Sequence, residues 1–244
     1  MEASLYVYGA IVSEADEYWG SESDFALTEF KKELDSLGSI KNLDIYINCP
    51  GGEVFAASTM ATLLQRLKDK GTYITSYVDG ISASAASFLM MVANEIKLYK
   101  NSVVMIHKPM SVAWGNVNDM QKTIDSLNVI EDGVLMPMYM AKAKVTEATI
   151  KRWINKEKWF NAIEMAEAFN VTLIESEKLA IANLDKEILK HYKNVPEEIK
   201  NILDDVVDES EASEPEVNEN DIKARLAFFK CSLIEKNIKE KGEI

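Results

Sequence analysis

A strand pattern that passes into a helix pattern through a proline and two glycines is the feature that most constrains the fold. LDIYIN, residues 43–48, is rich in branched and aromatic residues and is typical of a β-strand. After NCPGG, apolar residues recur at helical spacing, at Val54, Ala57, Ala61 and Leu64. A strand that leads within a few residues into a helix is the first half of a βαβ unit.

The same alternation continues along the chain. Strand patterns recur at residues 4–11, 72–78, 95–99 and 102–107, and helix patterns at 24–38, 82–93, 145–155 and 161–169. A longer Met- and Leu-rich helix pattern spans residues 116–144, and Pro137 is expected to kink or break it. We therefore predict an α/β fold with a mostly parallel sheet.

Composition excludes several classes of function. The chain has 40 acidic and 27 basic residues and a formal charge of −13, which argues against a nucleic-acid surface. Cys49 and Cys231 have no metal-ligand spacing, so we expect no metal site and no cofactor. There is no apolar run long enough to span a membrane and no basic start of a signal peptide, which predicts a cytoplasmic protein without membrane partners.

The composition changes after residue 200. Residues 201–221 contain nine acidic and no basic residues, which is typical of a disordered linker. In residues 222–244, Ile222, Leu226, Phe229 and Leu233 share one face of a helical pattern. We expect a protein domain over residues 1–200, the acidic linker, and a terminal amphipathic helix that either binds a partner or only aids solubility.

Two clusters of small residues follow predicted strands, NCPGG at 48–52 and DGISASAASFL at 79–89. Small residues let backbone N–H groups approach a ligand, and helix N-termini favour negative charge, so the two clusters could form an oxyanion hole. Ser84, flanked by Ala83 and Ala85, is a candidate nucleophile and His107 a candidate base. Close packing of a helix on the sheet is an equally simple explanation. Residues 80–84, GISAS, resemble the G-x-S-x-G motif of a nucleophile elbow with Ser82 as its serine, but the last glycine of the motif is missing.

Five segments in this order resemble the Clp protease proteolytic subunit (ClpP), and most closely its bacteriophage branch, the head maturation (prohead) proteases. They are GGEVFAA, DGISASAASFLM, VVMIHKPM, VAWGNVND and EKWFNAIEMAE, within residues 4–176. The resemblance implies a crotonase-like fold of stacked ββα units with a protruding helix that interlocks subunits into a ring. The pattern at 116–144 suits that helix. Cellular members of this family form two stacked heptameric rings. The resemblance leaves open whether this chain forms a heptameric ring, a double ring or a ring of another size.

The resemblance also assigns residues. It places the nucleophile at Ser84, the general base at His107, and the third catalytic member at Glu157, where the cellular enzymes have aspartate. The backbone N–H groups of Gly52 and Ala85 would hold the oxyanion. Substrate would bind at Gly51 and along a strand at residues 112–115, which are Val112, Ala113, Trp114 and Gly115.

The function that the resemblance implies is a serine endopeptidase that needs no nucleotide itself. Its substrates would be capsid or scaffold precursors of a phage head, processed in the host cytoplasm or inside the prohead. Two alternatives keep the fold: a catalytically weak ring whose role is assembly, and a crotonase-like acyl-CoA enzyme. Cys49, which stands before PGG, is expected to be a small buried residue.

Overall fold

The structure, a computed structural model, describes residues 2–14, 24–175 and 192–197. The acidic linker at 201–221 and the terminal helix at 222–244 lie outside these residues, so both stay predictions. No helix in the described ranges is long and apolar enough to cross a bilayer.

Nine strands occur in the described part of the chain, and seven of them form one sheet. The strands are β1 (Glu2–Tyr8), β2 (Ile11–Val12), β3 (Phe25–Ala26), β4 (Asn42–Cys49), β5 (Tyr73–Ala83), β6 (Glu95–Tyr99), β7 (Val103–Ile106), β8 (Lys158–Asn161) and β9 (Thr172–Ile174). β2 and β3 pair in parallel outside the main sheet.

The α-helices in the described ranges are α1 (Leu27–Leu37), α2 (Val54–Asp69), α3 (Ala85–Leu89), α4 (Val117–Ile130), α5 (Met136–Met140), α6 (Glu147–Asn155) and α7 (Ala162–Ala168). A 3₁₀ turn, Met90–Val92, extends α3, and a π-helical segment, Glu131–Leu135, joins α4 to α5.

The main sheet is mostly parallel, which confirms the prediction. Its order is β1-β4-β5-β6-β9, and every pairing in it is parallel except that of β7 with β8. β5 is longer than the predicted strand, and this length matters. Residues Thr75 to Val78 pair with β6, whereas Ile81 to Ala83 pair with β7. The carboxyl end of β5 therefore lies beside the carboxyl end of β7.

The two faces of β4 show why its sequence forms a central strand. Leu43, Ile45 and Ile47 are buried in the hydrophobic core with side chains of α1 and α2. On the opposite face, Tyr46 stacks between Tyr6 and Tyr77 with ring centroids 5.0 Å apart on each side. Alternation along one strand thus supplies a core face and an aromatic face.

The long helical pattern is interrupted before Pro137 rather than at it. The π-helical segment Glu131–Leu135 shifts the carbonyl pairing just before the residue that has no N–H to donate. Beyond it, Leu135, Met136 and Tyr139 pack into the core. α4 has no buried residue and exposes Val117 and Val129, as the resemblance to a family with a protruding helix implies.

Residues 112–115 form no strand in the single chain, and their pairing with an extended substrate peptide stays a prediction. Residues 107–114 have no regular secondary structure, and Val112 and Trp114 are 97% and 98% exposed. A strand needs a neighbour for its ladder of hydrogen bonds, and no described strand lies beside this segment. β8 and β9 were not predicted; β8 pairs antiparallel to β7 and β9 parallel to β6.

We expect Gly52→Ala to destabilise the fold strongly. Gly52 has φ +140° and forms a parallel bridge with Ile11, and a Cβ there would lie 2.1 Å from the Ile11 carbonyl oxygen. Backbone strain alone predicts a loss of about 1–3 kcal/mol in the free energy of unfolding, measured by urea denaturation.

Gly133→Ala is the matched control, because Gly133 lies in the π-helical segment and an added Cβ meets nothing within 4 Å. That substitution should leave stability unchanged or raise it by about 0.4–1 kcal/mol. Equal effects at the two glycines would show that the bridge to Ile11 is not what requires Gly52.

Candidate active site

Ser84 lies at the junction between β5 and α3, in a backbone conformation that non-glycine residues rarely adopt. Its φ is +51°, and its N–H donates to the Met105 carbonyl of β7 at 2.9 Å. The Ser87 hydroxyl donates to the Ser84 carbonyl at 2.6 Å and pairs with the Tyr139 hydroxyl at 2.7 Å. These bonds hold the turn, and the Ser84 side chain lines a pocket.

His107 follows β7 and meets Ser84. Because Ala83 pairs with Met105, the residues just beyond these two strand ends are neighbours. The Ser84 Oγ and the His107 Nε2 are 2.6 Å apart. The structure therefore brings together the two residues that the sequence suggested as nucleophile and base.

The pKa of His107 is lowered from its ordinary value because burial disfavours the charged imidazolium. The negative charge of Glu157 acts in the opposite direction but does not outweigh burial. The ring is therefore uncharged at neutral pH. In the tautomer that carries its proton on Nδ1, it can accept a proton from the Ser84 hydroxyl at Nε2.

Glu157 lies in the turn between α6 and β8, buried and with φ +51°. One carboxylate oxygen accepts from the backbone N–H of Asn194 at 2.7 Å and the other from that of Lys193 at 3.1 Å. The Trp159 indole N–H donates, at 3.5 Å, to the oxygen that also accepts from Asn194. No hydrogen bond between described atoms joins Glu157 to His107, so the carboxylate acts on the imidazole through its charge.

The two glycines of NCPGG meet different requirements. Gly51 has φ +109°, and a Cβ there would lie 2.6 Å from the Ser84 Cβ and 2.9 Å from the Ala83 carbonyl oxygen. Gly51 therefore permits the close approach of the loop to the Ser84 turn. Gly52 instead permits the bridge to Ile11.

Both predicted oxyanion donors lie beside Ser84. Ala85 is the first residue of α3, where a backbone N–H has no partner within the helix. In the bridge between Gly52 and Ile11, the Gly51 carbonyl accepts from the Ile11 N–H and the Glu53 N–H donates to the Ile11 carbonyl. The Gly52 N–H takes no part in this bridge. The arrangement is chemically suited to an oxyanion between two strand ends.

One pocket is lined by Ser84, His107 and two of the five predicted substrate-binding residues, Gly51 and Val112. It is lined by Ala10, Pro50, Gly51, Gly52, Val54, Ser84, His107, Pro109, Met110, Ser111, Val112 and Tyr192. Val112 lies at this pocket, as predicted for a substrate-binding residue. Ala113, Trp114 and Gly115 do not line it. Tyr192 was missed, because it lies outside the segment of resemblance and no pattern marks it.

Two other polar groups near the site are unsuited to catalysis. Ser82 is fully buried, and its hydroxyl has no hydrogen-bond partner among the described residues. Cys49 is also fully buried, which raises the pKa of its thiol to about 12. The described residues contain no group of three potential metal ligands.

Comparisons with known proteins agree with this geometry. The sequence model of the family described as Clp protease matches residues 27–176. Relatives named "ATP-dependent Clp protease proteolytic subunit" occur in Bacteroides thetaiotaomicron and in two strains of Bacteroides fragilis, each 35% identical over 92 residues. The alignments cover 37% of this chain and 40–43% of the relatives. The similarity thus spans about two fifths of the length of the relatives.

Proposed function

This chain belongs to the Clp protease family, and we propose on that basis that it is a serine endopeptidase with Ser84 as nucleophile and His107 as general base. The observation that carries the proposal is the 2.6 Å contact between the Ser84 Oγ and the His107 Nε2 at the pocket. A hydroxyl becomes a useful nucleophile when a neutral imidazole can take its proton.

The reaction follows from these positions. The Ser84 oxygen attacks the peptide carbonyl carbon while its proton passes to the His107 Nε2. The tetrahedral oxyanion is held by the N–H groups of Gly52 and Ala85. When the C–N bond breaks, His107 returns the proton to the departing amine and leaves an acyl-enzyme. Water then repeats the sequence with His107 as base and releases the acid.

Glu157 has an electrostatic part in this mechanism. Proton transfer makes His107 an imidazolium, which the negative charge of Glu157 would stabilise; its upward effect on the pKa of His107 supports this role. The carboxylate of the usual serine protease triad also accepts the Nδ1–H of the base. In the described structure Glu157 makes no such bond.

An extended peptide would bind along residues 112–115. This segment is unpaired and exposed, and Val112 lies at the pocket that contains Ser84. A substrate strand would supply the missing ladder partner, with main-chain hydrogen bonds giving affinity and the pocket selecting side chains. Gly51 lines the same pocket and, having no side chain, leaves room for the backbone of the substrate peptide.

We also propose that copies of the chain associate through α4. A helix of 14 residues with no buried residue and with Val117 and Val129 exposed at 82% and 70% has an apolar surface that water does not favour. Members of this family form rings, which supports association of copies of this chain through α4. The sequence contains no GxxxxGK[ST] motif, which supports peptide hydrolysis without nucleotide hydrolysis by this chain.

Capsid or scaffold precursors of a phage head are the proposed substrates. The support is the likeness of the five ordered motifs to the head maturation proteases, which process such precursors beside the growing shell. The same likeness supports a place in the host cytoplasm or inside the prohead.

Labelling with a fluorophosphonate probe tests the catalytic assignment. We expect covalent labelling of the wild-type protein, none in Ser84→Ala, and a rate about 10²–10⁴-fold lower in His107→Ala, because the base is lost. Ser82→Ala is the matched control, since it removes the same atom two residues away and should label at the wild-type rate. Labelling that persists in Ser84→Ala would refute the assignment.

Glu157→Gln should shift the pH dependence of this labelling. Glu157 raises the pKa of His107, so removal of its charge lowers that pKa further. The imidazole then stays neutral to a lower pH, and the acid limb of the labelling rate moves to lower pH. Glu147→Gln, which removes an exposed carboxylate paired with Lys151, should leave the limb in place. A limb that moves upward in Glu157→Gln contradicts the electrostatic role.

The substrate class is tested by co-expression with capsid and scaffold proteins of a bacteriophage head. We expect shortened capsid or scaffold protein, identified by intact-mass measurement, with wild-type protein and full-length products with Ser84→Ala. Uncleaved precursors in the presence of a probe-reactive enzyme would contradict the substrate class while leaving the peptidase chemistry in place.

A further inference from the structure

Residues 192–194, here named the strap, contact the candidate catalytic residues from outside the matched family segment. The strap follows that segment by more than a dozen residues, because the family match ends at residue 176. Its backbone and side chains touch the loop of Pro50, the base His107 and the acid Glu157. One short stretch thus reaches three parts of the site.

Tyr192 covers one side of the pocket. Its ring lies edge-on to His107, with centroids 5.6 Å apart, and edge-on to Trp159 at 5.9 Å. Its hydroxyl donates to the Pro50 carbonyl, directly before the glycines that approach Ser84. Burial raises the pKa of Tyr192, and an interaction with the Ser84 side chain partly offsets this. The tyrosine therefore forms part of the wall of the pocket that contains Ser84.

Lys193 and Asn194 hold the acid. Their backbone N–H groups donate to different oxygens of the Glu157 carboxylate, at 3.1 and 2.7 Å. The Asn194 side-chain amide also donates to the Lys156 carbonyl at 3.2 Å, which fixes the strap to the same turn. Each carboxylate oxygen can accept more than one hydrogen bond, so what the strap fixes is the direction of the Glu157 carboxylate, which makes no bond to His107 in the described structure.

We propose that the strap is an autoinhibitory element: it covers His107, narrows the approach to Ser84 and keeps Glu157 from bonding to the base. The proposal rests on the proposed serine peptidase function. Displacement of the strap frees the Glu157 carboxylate, for which the nearby Nδ1–H of His107 is then a suitable donor. It also opens the side of the pocket that Tyr192 covers.

The test compares rates of fluorophosphonate labelling of Ser84 in the full-length chain. Tyr192→Ala removes the ring and the bond to Pro50, and Asn194→Pro removes the shorter N–H bond to Glu157. We expect each to raise the second-order rate constant by about tenfold or more, since disrupting the bond between acid and base in a serine protease triad can cost up to about 10⁴-fold. Lys193→Ala is the matched control, because it shortens an exposed side chain of the strap and keeps the backbone N–H that bonds to Glu157, so its rate should be near that of wild type.

A second readout separates release of the site from a general loosening of the fold. In Tyr192→Ala the imidazole is better hydrated and Glu157 is free to pair with it, so the acid limb of labelling should move to higher pH. Of the other groups near His107, the Cys49 thiol is buried with a raised pKa, and Lys108 is paired with Glu131 at 3.0 Å. Adding Glu157→Gln to Tyr192→Ala should abolish most of the gain.

The outcomes are distinguishable. A labelling rate that falls in Tyr192→Ala and Asn194→Pro, with unchanged thermal unfolding, overturns the proposal and makes the strap a positioning element for Glu157. An unchanged rate also overturns it. Absence of labelling in every variant, including wild type, refutes the serine peptidase function and the strap with it. If Tyr192→Ala does not fold, Asn194→Pro decides alone.

Discussion

The close approach of the Gly51 backbone to the Ser84 turn is the contact on which the rest of the site depends. β4 and β5 run in parallel, and their register shifts between Ile47 and Cys49, so the loop after β4 folds over the end of β5. Without a side chain at residue 51, the loop reaches the Ser84 Cβ and the first N–H of α3. A nucleophile and two candidate oxyanion donors thereby share one small volume, and β7 adds the base beside them.

Two residues with φ of +51°, Ser84 and Glu157, show that the fold stabilises unfavourable backbone at the site. Each such conformation costs on the order of 1–3 kcal/mol and persists only where neighbouring contacts require it. For Ser84 the contacts come from the Met105 carbonyl and the Ser87 hydroxyl. For Glu157 they come from the Ile154 carbonyl, which accepts from its N–H, and from the strap.

Local pattern was sufficient for much of the sheet and for the choice of Ser84 and His107 as candidates. Branched and aromatic runs predicted β4, β6 and β7, with Ser84 expected at the start of a helix and His107 at the end of a strand. Their contact depends on the pairing of β5 with β7. The sequence could not reveal that β5 continues to Ala83, because DGISA is small and polar and its strand is set by pairing with β7. β8 and β9 likewise depend on distant partners. The partners of Glu157 were hidden for the same reason: they are backbone atoms of residues 36 and 37 positions away.

The site therefore has two parts of different origin. Ser84, His107 and the glycine loop are held by neighbouring parallel strands, whose hydrogen bonds do not involve the strap. Glu157 is held on a turn beyond α6, and both of its oxygens are bonded to the strap. Because the dyad is built within the sheet, release of the strap changes the surroundings of the base without dismantling the Ser84 to His107 contact. In a fold arranged in this way, the surroundings of Ser84 and His107 depend on a segment that contributes nothing to the sheet.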